Sequence, residues 1–225
     1  MKIQQLEVFA GRKVLLCFAL VLSSGLFTGD CRAAIVYPKA PDGGRQIVYE
    51  NAAQILRTDP RFLGGFHLEE LTIADPYRNY GVGLMKDLAS GQLLSTARVG
   101  GWTYLFIHGT NAVGAEVLIA DETTGKTLKF NGLYGSNFSN ETLEALRIAK
   151  ELPQVNKQDY ELRRLDIPAV HFVAVWLHGK SDDIIIPLPP TFGRWNSYQP
   201  YSESQMIKLL KPEAKKVLKQ PNLLR

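Results

Sequence analysis

Three apolar runs separated by polar loops stand out in the middle of the chain. In the first, Trp102 to His108, both alternating faces are largely apolar, which predicts a strand buried on both sides. Residues 115–120 form a second run, and residues 127–133 form a third that alternates cleanly between apolar and polar positions. Because loops of only about six residues join the runs, the pattern predicts an antiparallel meander.

A second strand pair is predicted closer to the C-terminus. Val170 to Leu177 is again apolar on both faces, and Ile184 to Ile186 follows after a polar turn. The prolines that come next have no amide donor, so strand pairing is expected to end at Pro187.

Helical spacing of apolar residues marks the segments around these strands. Residues 47–56 repeat apolar side chains at helical intervals. Residues 140–152 do the same, with acidic residues near the start and a lysine near the end, as the helix dipole favours. Ser202 and Gln205 have the spacing of a capping box, which predicts a short helix that ends at Leu210.

The C-terminal part of the chain is basic. Pro212 suits the first position of a further helix, which is expected to end near Lys219. From Gln205 onward, the charged residues are lysines and one arginine, with Glu213 as the single acidic residue. A basic tail can meet an anionic surface, and a solvated helix face is the simpler interpretation.

Together these elements predict an α+β fold. We expect an antiparallel sheet, made of a three-strand meander plus a later strand pair, with helices packed on one face. The segment 34–225 is long enough to bury one core, so we expect a single domain with a basic C-terminal helical tail.

The first 33 residues have the pattern of a secretory signal peptide. Basic residues precede an apolar run from Val14 to Leu22, and small residues precede a cleavage position after Ala33. The sequence therefore predicts an exported protein, either periplasmic or secreted. Two alternatives stay open: an uncleaved N-terminal anchor, and a lipoprotein with Cys31 as its first residue.

Composition excludes several classes of function. Both cysteines, Cys17 and Cys31, lie in the predicted leader, so a mature chain without disulfide, thiol nucleophile or cysteine metal site is expected. The nearly balanced charge after residue 33 argues against nucleic acid as a partner. Membrane association is expected only through an uncleaved leader or the basic tail, and the oligomeric state is left open.

The strand end at His108, followed by Gly109 and Thr110, is similar to the loop in which some hydrolases build an oxyanion hole. Such enzymes also need a G-x-S-x-G turn that presents a serine, and the sequence has none. A serine–acid–histidine set can be assembled only loosely, from Ser136, from Asp159 or Asp166, and from His171 or His178. We therefore interpret His108 as the end of a strand.

The histidines do not form a metal-binding pattern. None of His67, His108, His171 and His178 has the i, i+4 helical spacing or the H-x-H spacing of common metal sites. No metal site, cofactor or catalytic residue is predicted. A small exported hydrolase or metal-dependent enzyme that uses His108, His171 or His178 stays as the alternative function.

Four aromatic residues crowd an irregular segment late in the chain: Phe192, Trp195, Tyr198 and Tyr201. Exposed together, they form a binding surface; folded back, they cover the core. The sequence thus favours an exported, non-catalytic globular domain that binds a protein or cell-envelope partner, with these four residues as candidate contacts.

Overall fold

The computed structural model describes residues 34–59, 67–119 and 128–219. All described residues belong to one compact unit of the chain. The predicted signal peptide therefore lies outside the described residues. Of the helices in the described ranges, none has the length and apolar content needed to cross a bilayer.

The described residues form one sheet of ten strands and four helices. The strands are β1 (Ile35–Val36), β2 (Thr72–Ile73), β3 (Tyr77–Gly81), β4 (Arg98–His108), β5 (Asn111–Ile119), β6 (Leu128–Tyr134), β7 (Tyr160–Ile167), β8 (Phe172–Gly179), β9 (Asp183–Pro187) and β10 (Tyr201–Ser202). The helices are α1 (Gly44–Thr58), α2 (Met85–Ser90), α3 (Ser136–Lys150) and α4 (Glu203–Leu218).

The sheet consists of two antiparallel halves that meet at a parallel pair. Its order is β10-β9-β8-β7-β3-β4-β5-β6. β3 and β7 are the first strands of their halves, and they pair in parallel, with Tyr80 opposite Leu165. The short β1 also pairs in parallel with β7, and β2 pairs antiparallel with β4. Each half is followed by a helix, α3 after β6 and α4 after β10.

The predicted fold, an antiparallel three-strand meander plus a strand pair with helices on one face, is wrong. The sheet is mixed and has ten strands, and the helices are short, with 6 to 16 residues. They do not form one packed face. The main error has a physical cause, because the parallel pair joins strands about eighty residues apart in the chain, and no local pattern encodes such a pairing.

The core occupies both faces of the sheet. Along β8, Ala174 and Trp176 pack in the cluster that contains the buried residues of α2 and α4. The alternate residues Val175 and Leu177 pack in the cluster that contains the buried residues of α3. Successive side chains of a strand point to opposite faces, so the helices cover opposite sides of β8. This explains why the run is apolar on both faces.

The last helix begins as predicted and ends later. The capping box is confirmed: the Gln205 amide donates to Ser202 Oγ at 3.3 Å, and the Ser202 amide donates to Gln205 Oε1 at 2.8 Å. The predicted break before Pro212 is wrong, because α4 continues through this proline to Leu218. Buried residues on both sides of it, Leu210 and Ala214, hold the helix to the core despite the lost backbone hydrogen bond.

Glycine permits a close approach of β4 and β5, and this approach gives a test of the sheet register. A Cβ at Gly101 would lie 2.4 Å from the Val117 carbonyl oxygen and 3.2 Å from Leu118 Cα. We expect Gly101→Ala to lower the free energy of unfolding by about 1–3 kcal/mol, because backbone atoms must shift. The matched control is Gly81→Ala, where no heavy atom lies within 4 Å of the added carbon. Urea denaturation of both variants checks the expectation, and equal stabilities would contradict the register.

Candidate functional site

A cavity of about 600 Å³ lies beside the carboxyl end of β7. Three segments that are far apart in the sequence contribute to its wall. They are the start of α3, the connection from β7 to β8, and the segment after β9, which contains the cis peptide bond Pro189-Pro190. In the connection, a short 3-10 turn leads to His171, whose backbone is left-handed with φ of 50°.

Most of the cavity wall is apolar. Its apolar members are Phe138, Pro168, Phe172, Val173, Leu188, Pro190 and Phe192. Phe172 and Leu188 are buried, whereas Phe138 and Phe192 are 39% and 69% exposed. The ring of His171 packs edge-on against that of Phe192, with the ring centres 5.7 Å apart. The wall is therefore buried on one side and leads to solvent past exposed aromatic rings.

A carboxylate held by neutral donors forms part of the polar side of the cavity. Asn79 Nδ2 donates to Glu116 Oε1 at 2.6 Å, and Thr103 Oγ1 donates to Asn79 Oδ1 at 3.0 Å. Glu116 Oε2 accepts from Asn131 Nδ2 at 2.6 Å and from the Tyr134 hydroxyl. Strand register places Asn79, Thr103 and Glu116 side by side on one face of the sheet. This chain of hydrogen bonds fixes the Glu116 carboxylate in one orientation.

An arginine–aspartate pair on β7 completes the polar side. The pair lies two residues apart on one strand, so both side chains share a face. Arg164 Nη2 donates to Asp166 Oδ1 at 3.1 Å, and the guanidinium carbon lies 5.7 Å from the centre of the Tyr134 ring. Arg164 Nε is 2.9 Å from Asp166 Oδ2, but this buried atom is not aligned for a hydrogen bond with any acceptor in the described residues. The Nε contact is therefore one of charge.

Burial changes the proton affinities at this polar side. It raises the pKa of Asp166; the Arg164 guanidinium opposes this shift, and the Glu116 charge adds to it. Burial, followed by the hydrogen bond to Glu116, raises the pKa of Tyr134 to about 12. Folded Asp166 thus holds its proton more tightly than the unfolded chain does. As the pH rises from the ordinary aspartate pKa through the raised value, this group lowers the free energy of unfolding.

The structure separates the histidines singled out in the sequence. His171 lies at the cavity, whereas His178 lies at the other end of β8, and its Nδ1 is 2.8 Å from Asp183 Oδ1. His108 ends β4 opposite Asn111. Within the described ranges, no group of three histidine or acidic residues is arranged to hold a metal ion. Of the loosely assembled triad, Asp166 and His171 line the same cavity, and the side chain of Ser136 lies outside the description.

The four aromatic residues of the late segment do not share one exposed surface. Trp195 and Tyr201 are buried, and Trp195 packs edge-on against Phe172 with ring centres 5.2 Å apart. Tyr198 is half-buried and has a left-handed backbone. Phe192 is strongly exposed and is the one of the four that lines the cavity. A binding role for these residues stays a prediction. Phe192 is the one whose side chain lies where a bound molecule could contact it.

Sequence reasoning missed the polar side of the cavity. Glu116 is a single charged residue within an apolar strand, and Arg164 and Asp166 share one face of an alternating strand. A charge at a position expected to be buried is the signal that identifies such a site. Tyr134 carries no comparable signal, because a tyrosine at the end of a strand is common.

The charge contact on β7 leads to a prediction about proton affinity. We expect Arg164→Met to raise the pKa of Asp166 further, because the guanidinium is the group that lowers it. A ¹³C NMR titration of the Asp166 carboxyl carbon measures the change. Arg147→Met is the control, since Arg147 pairs with Glu144 and Glu151 on the exposed surface of α3. An unchanged or lower Asp166 pKa in Arg164→Met would contradict the assignment.

No family model matches the sequence, and comparison with curated proteins and with solved structures found no match. The geometry of the cavity is therefore the observation that bears on function.

Proposed function

We propose that this protein is an exported, non-catalytic binding protein that takes one small amphipathic molecule into the cavity beside β7. The observation that carries the proposal is the division of the cavity wall into an apolar aromatic part and a polar part formed by Glu116, Arg164 and Asp166. The volume of about 600 Å³ lies within the range of roughly 300–1,000 Å³ that is typical of small-molecule sites.

The hydrogen bonding of the polar groups favours binding over catalysis. Three neutral donors hold the Glu116 carboxylate, and the Arg164 guanidinium holds Asp166. A general base must be oriented toward the proton that it removes, and it works best with a pKa near the working pH. Groups that are fixed against each other are better suited to orienting a ligand than to moving its protons.

The leader pattern supports the exported part of the proposal. An exported protein meets the amphipathic molecules of the cell envelope, which belong to the class that the cavity fits. Phe192 connects this proposal with the aromatic segment, because its exposed ring lines the cavity. We therefore propose a small envelope component as the partner.

One observation favours the enzymatic alternative. Asp183 Oδ1 contacts His178 Nδ1 at 2.8 Å, as the acid of a general-base pair does. The same oxygen accepts a hydrogen bond from Trp176 Nε1 at 2.7 Å. Asp183 thus ties together two residues of β8, which is a structural use of the carboxylate. We rank this alternative second because His178 and Asp183 do not line the cavity.

A neutral fluorescent probe tests the binding function. N-phenyl-1-naphthylamine emits strongly in apolar surroundings, and we expect the full-length protein to enhance its fluorescence. Val173→Trp adds bulk to the cavity wall and should abolish the enhancement that arises from the cavity. Phe192→Ala removes an exposed ring and should weaken binding by about tenfold, which corresponds to about 1.4 kcal/mol.

Two controls separate the cavity from other apolar surface. Leu84 and Val99 are exposed apolar residues that do not line the cavity. Leu84→Ala and Val99→Trp should therefore leave the fluorescence titration unchanged. If folded Val173→Trp, verified by circular dichroism, binds the probe as the unaltered protein does, the proposed function is wrong.

A further inference from the structure

We propose that the ligand of this cavity carries a cationic head group, in the form of an ammonium on an apolar body. This inference rests on the proposed function and adds the charge of the ligand to it. It follows from the balance of charge and the count of hydrogen-bond acceptors at Glu116, Arg164 and Asp166.

The polar part of the cavity has one negative charge in excess when both carboxyls are ionised and the imidazole of His171, which also lines the cavity, is neutral. Two carboxylates and one guanidinium line it. Asp166 contacts the guanidinium through both of its oxygens, at 2.9 and 3.1 Å. Glu116 accepts its hydrogen bonds from two amides and a phenol, and no lysine or arginine of the described ranges forms an ion pair with it. A ligand with one positive charge neutralises this excess.

The open acceptor positions match an ammonium group. An ionised carboxylate offers about four acceptor positions. Among the described groups, three donors occupy positions on Glu116, and Arg164 Nη2 occupies one position on Asp166. About four positions are left on the two residues together, which is enough for the three N–H donors of a primary ammonium. A carboxylate or phosphate head would instead add negative charge to a lining that already has more carboxyl groups than guanidinium groups.

The aromatic part of the wall suits the same ligand. Phe138, Phe172 and Phe192 line the cavity, and ring faces attract cations in addition to apolar groups. The protein itself shows this attraction at the cavity, since the Arg164 guanidinium lies over the Tyr134 ring. The body of an amphipathic amine can therefore lie along the rings while its nitrogen meets the carboxylates.

Three competitors with the same octyl tail and different heads test the inference. Octylammonium, 1-octanol and nonanoate are each titrated against bound N-phenyl-1-naphthylamine at pH 7. We expect octylammonium to displace the probe at a concentration about tenfold lower than octanol, and nonanoate to be the weakest. Glu116→Gln should remove the preference for octylammonium over octanol, because it removes the charge and keeps the shape.

A matched control and a second variant keep the result decisive. Glu161→Gln is the same change on β7 at a residue that pairs with Arg163 and does not line the cavity, so the preference should persist. If Glu116→Gln does not fold, Asp166→Asn replaces it, with the same expected loss. If all three competitors displace the probe equally, the inference of a cationic head group is wrong and the proposed binding function is unaffected. If the competitors do not displace the probe and Val173→Trp does not change its fluorescence, both proposals are wrong.

Discussion

The parallel pairing of β3 with β7 is the contact on which the rest of the fold depends. It joins two antiparallel halves that otherwise have separate strand orders. On one face of this seam, the guanidinium of Arg163 lies 4.9 Å from the Tyr80 ring centre and 4.7 Å from the Trp176 ring centre. The side chain therefore links a residue of β3 with a residue of β8 across the strand that carries it. Cation–π contacts at partly buried sites contribute about 1 kcal/mol each, and here they act at the only parallel step of the described eight-strand path.

The same strand supplies the opposite face with different chemistry. Arg163 and Arg164 are neighbours, so they point to opposite sides of β7. The first stabilises the packing against aromatic rings, and the second forms the polar side of the cavity with Asp166. The two arginines therefore have different roles because they lie on opposite faces of the same strand. One stabilises the packing, and the other contacts the ligand under the proposed function. Glu116 reaches that polar side because β3 and β4 bring β5 into register on the same face.

Local features of the fold were predictable from the sequence, and its long-range pairing was not. The strand predicted at residues 102–108 lies within β4, and the strand predicted at 170–177 overlaps β8 except for its first two residues, which precede that strand. The capping box at Ser202 marks the start of α4. β3 escaped notice because its residues, Tyr-Arg-Asn-Tyr-Gly, have no alternating apolar pattern. Two predicted strands were apolar on both faces, and this pattern indicates that both sides of the sheet are covered. It conflicted with the prediction that helices pack on one face only.

The site was less predictable than the fold for a similar reason. Glu116, Tyr134 and Asp166 come from three strands, and only the order of the sheet brings them together. Sequence motifs report chemistry that is carried by neighbouring residues, such as a serine turn or a histidine pair, and this cavity uses neither. Phe192 was identified through its aromatic neighbours, although Trp195 and Tyr201 serve the core.

Because both halves of the sheet contribute to the cavity wall, binding of a ligand in the cavity depends on the complete fold. Residues from β5, β6, α3, β7, β8 and the segment after β9 all contribute to the wall, so neither half of the sheet can form the cavity alone. A molecule that binds there binds only the complete fold. Its binding free energy therefore opposes separation of the two halves, and an occupied protein resists heat and denaturant as one cooperative unit.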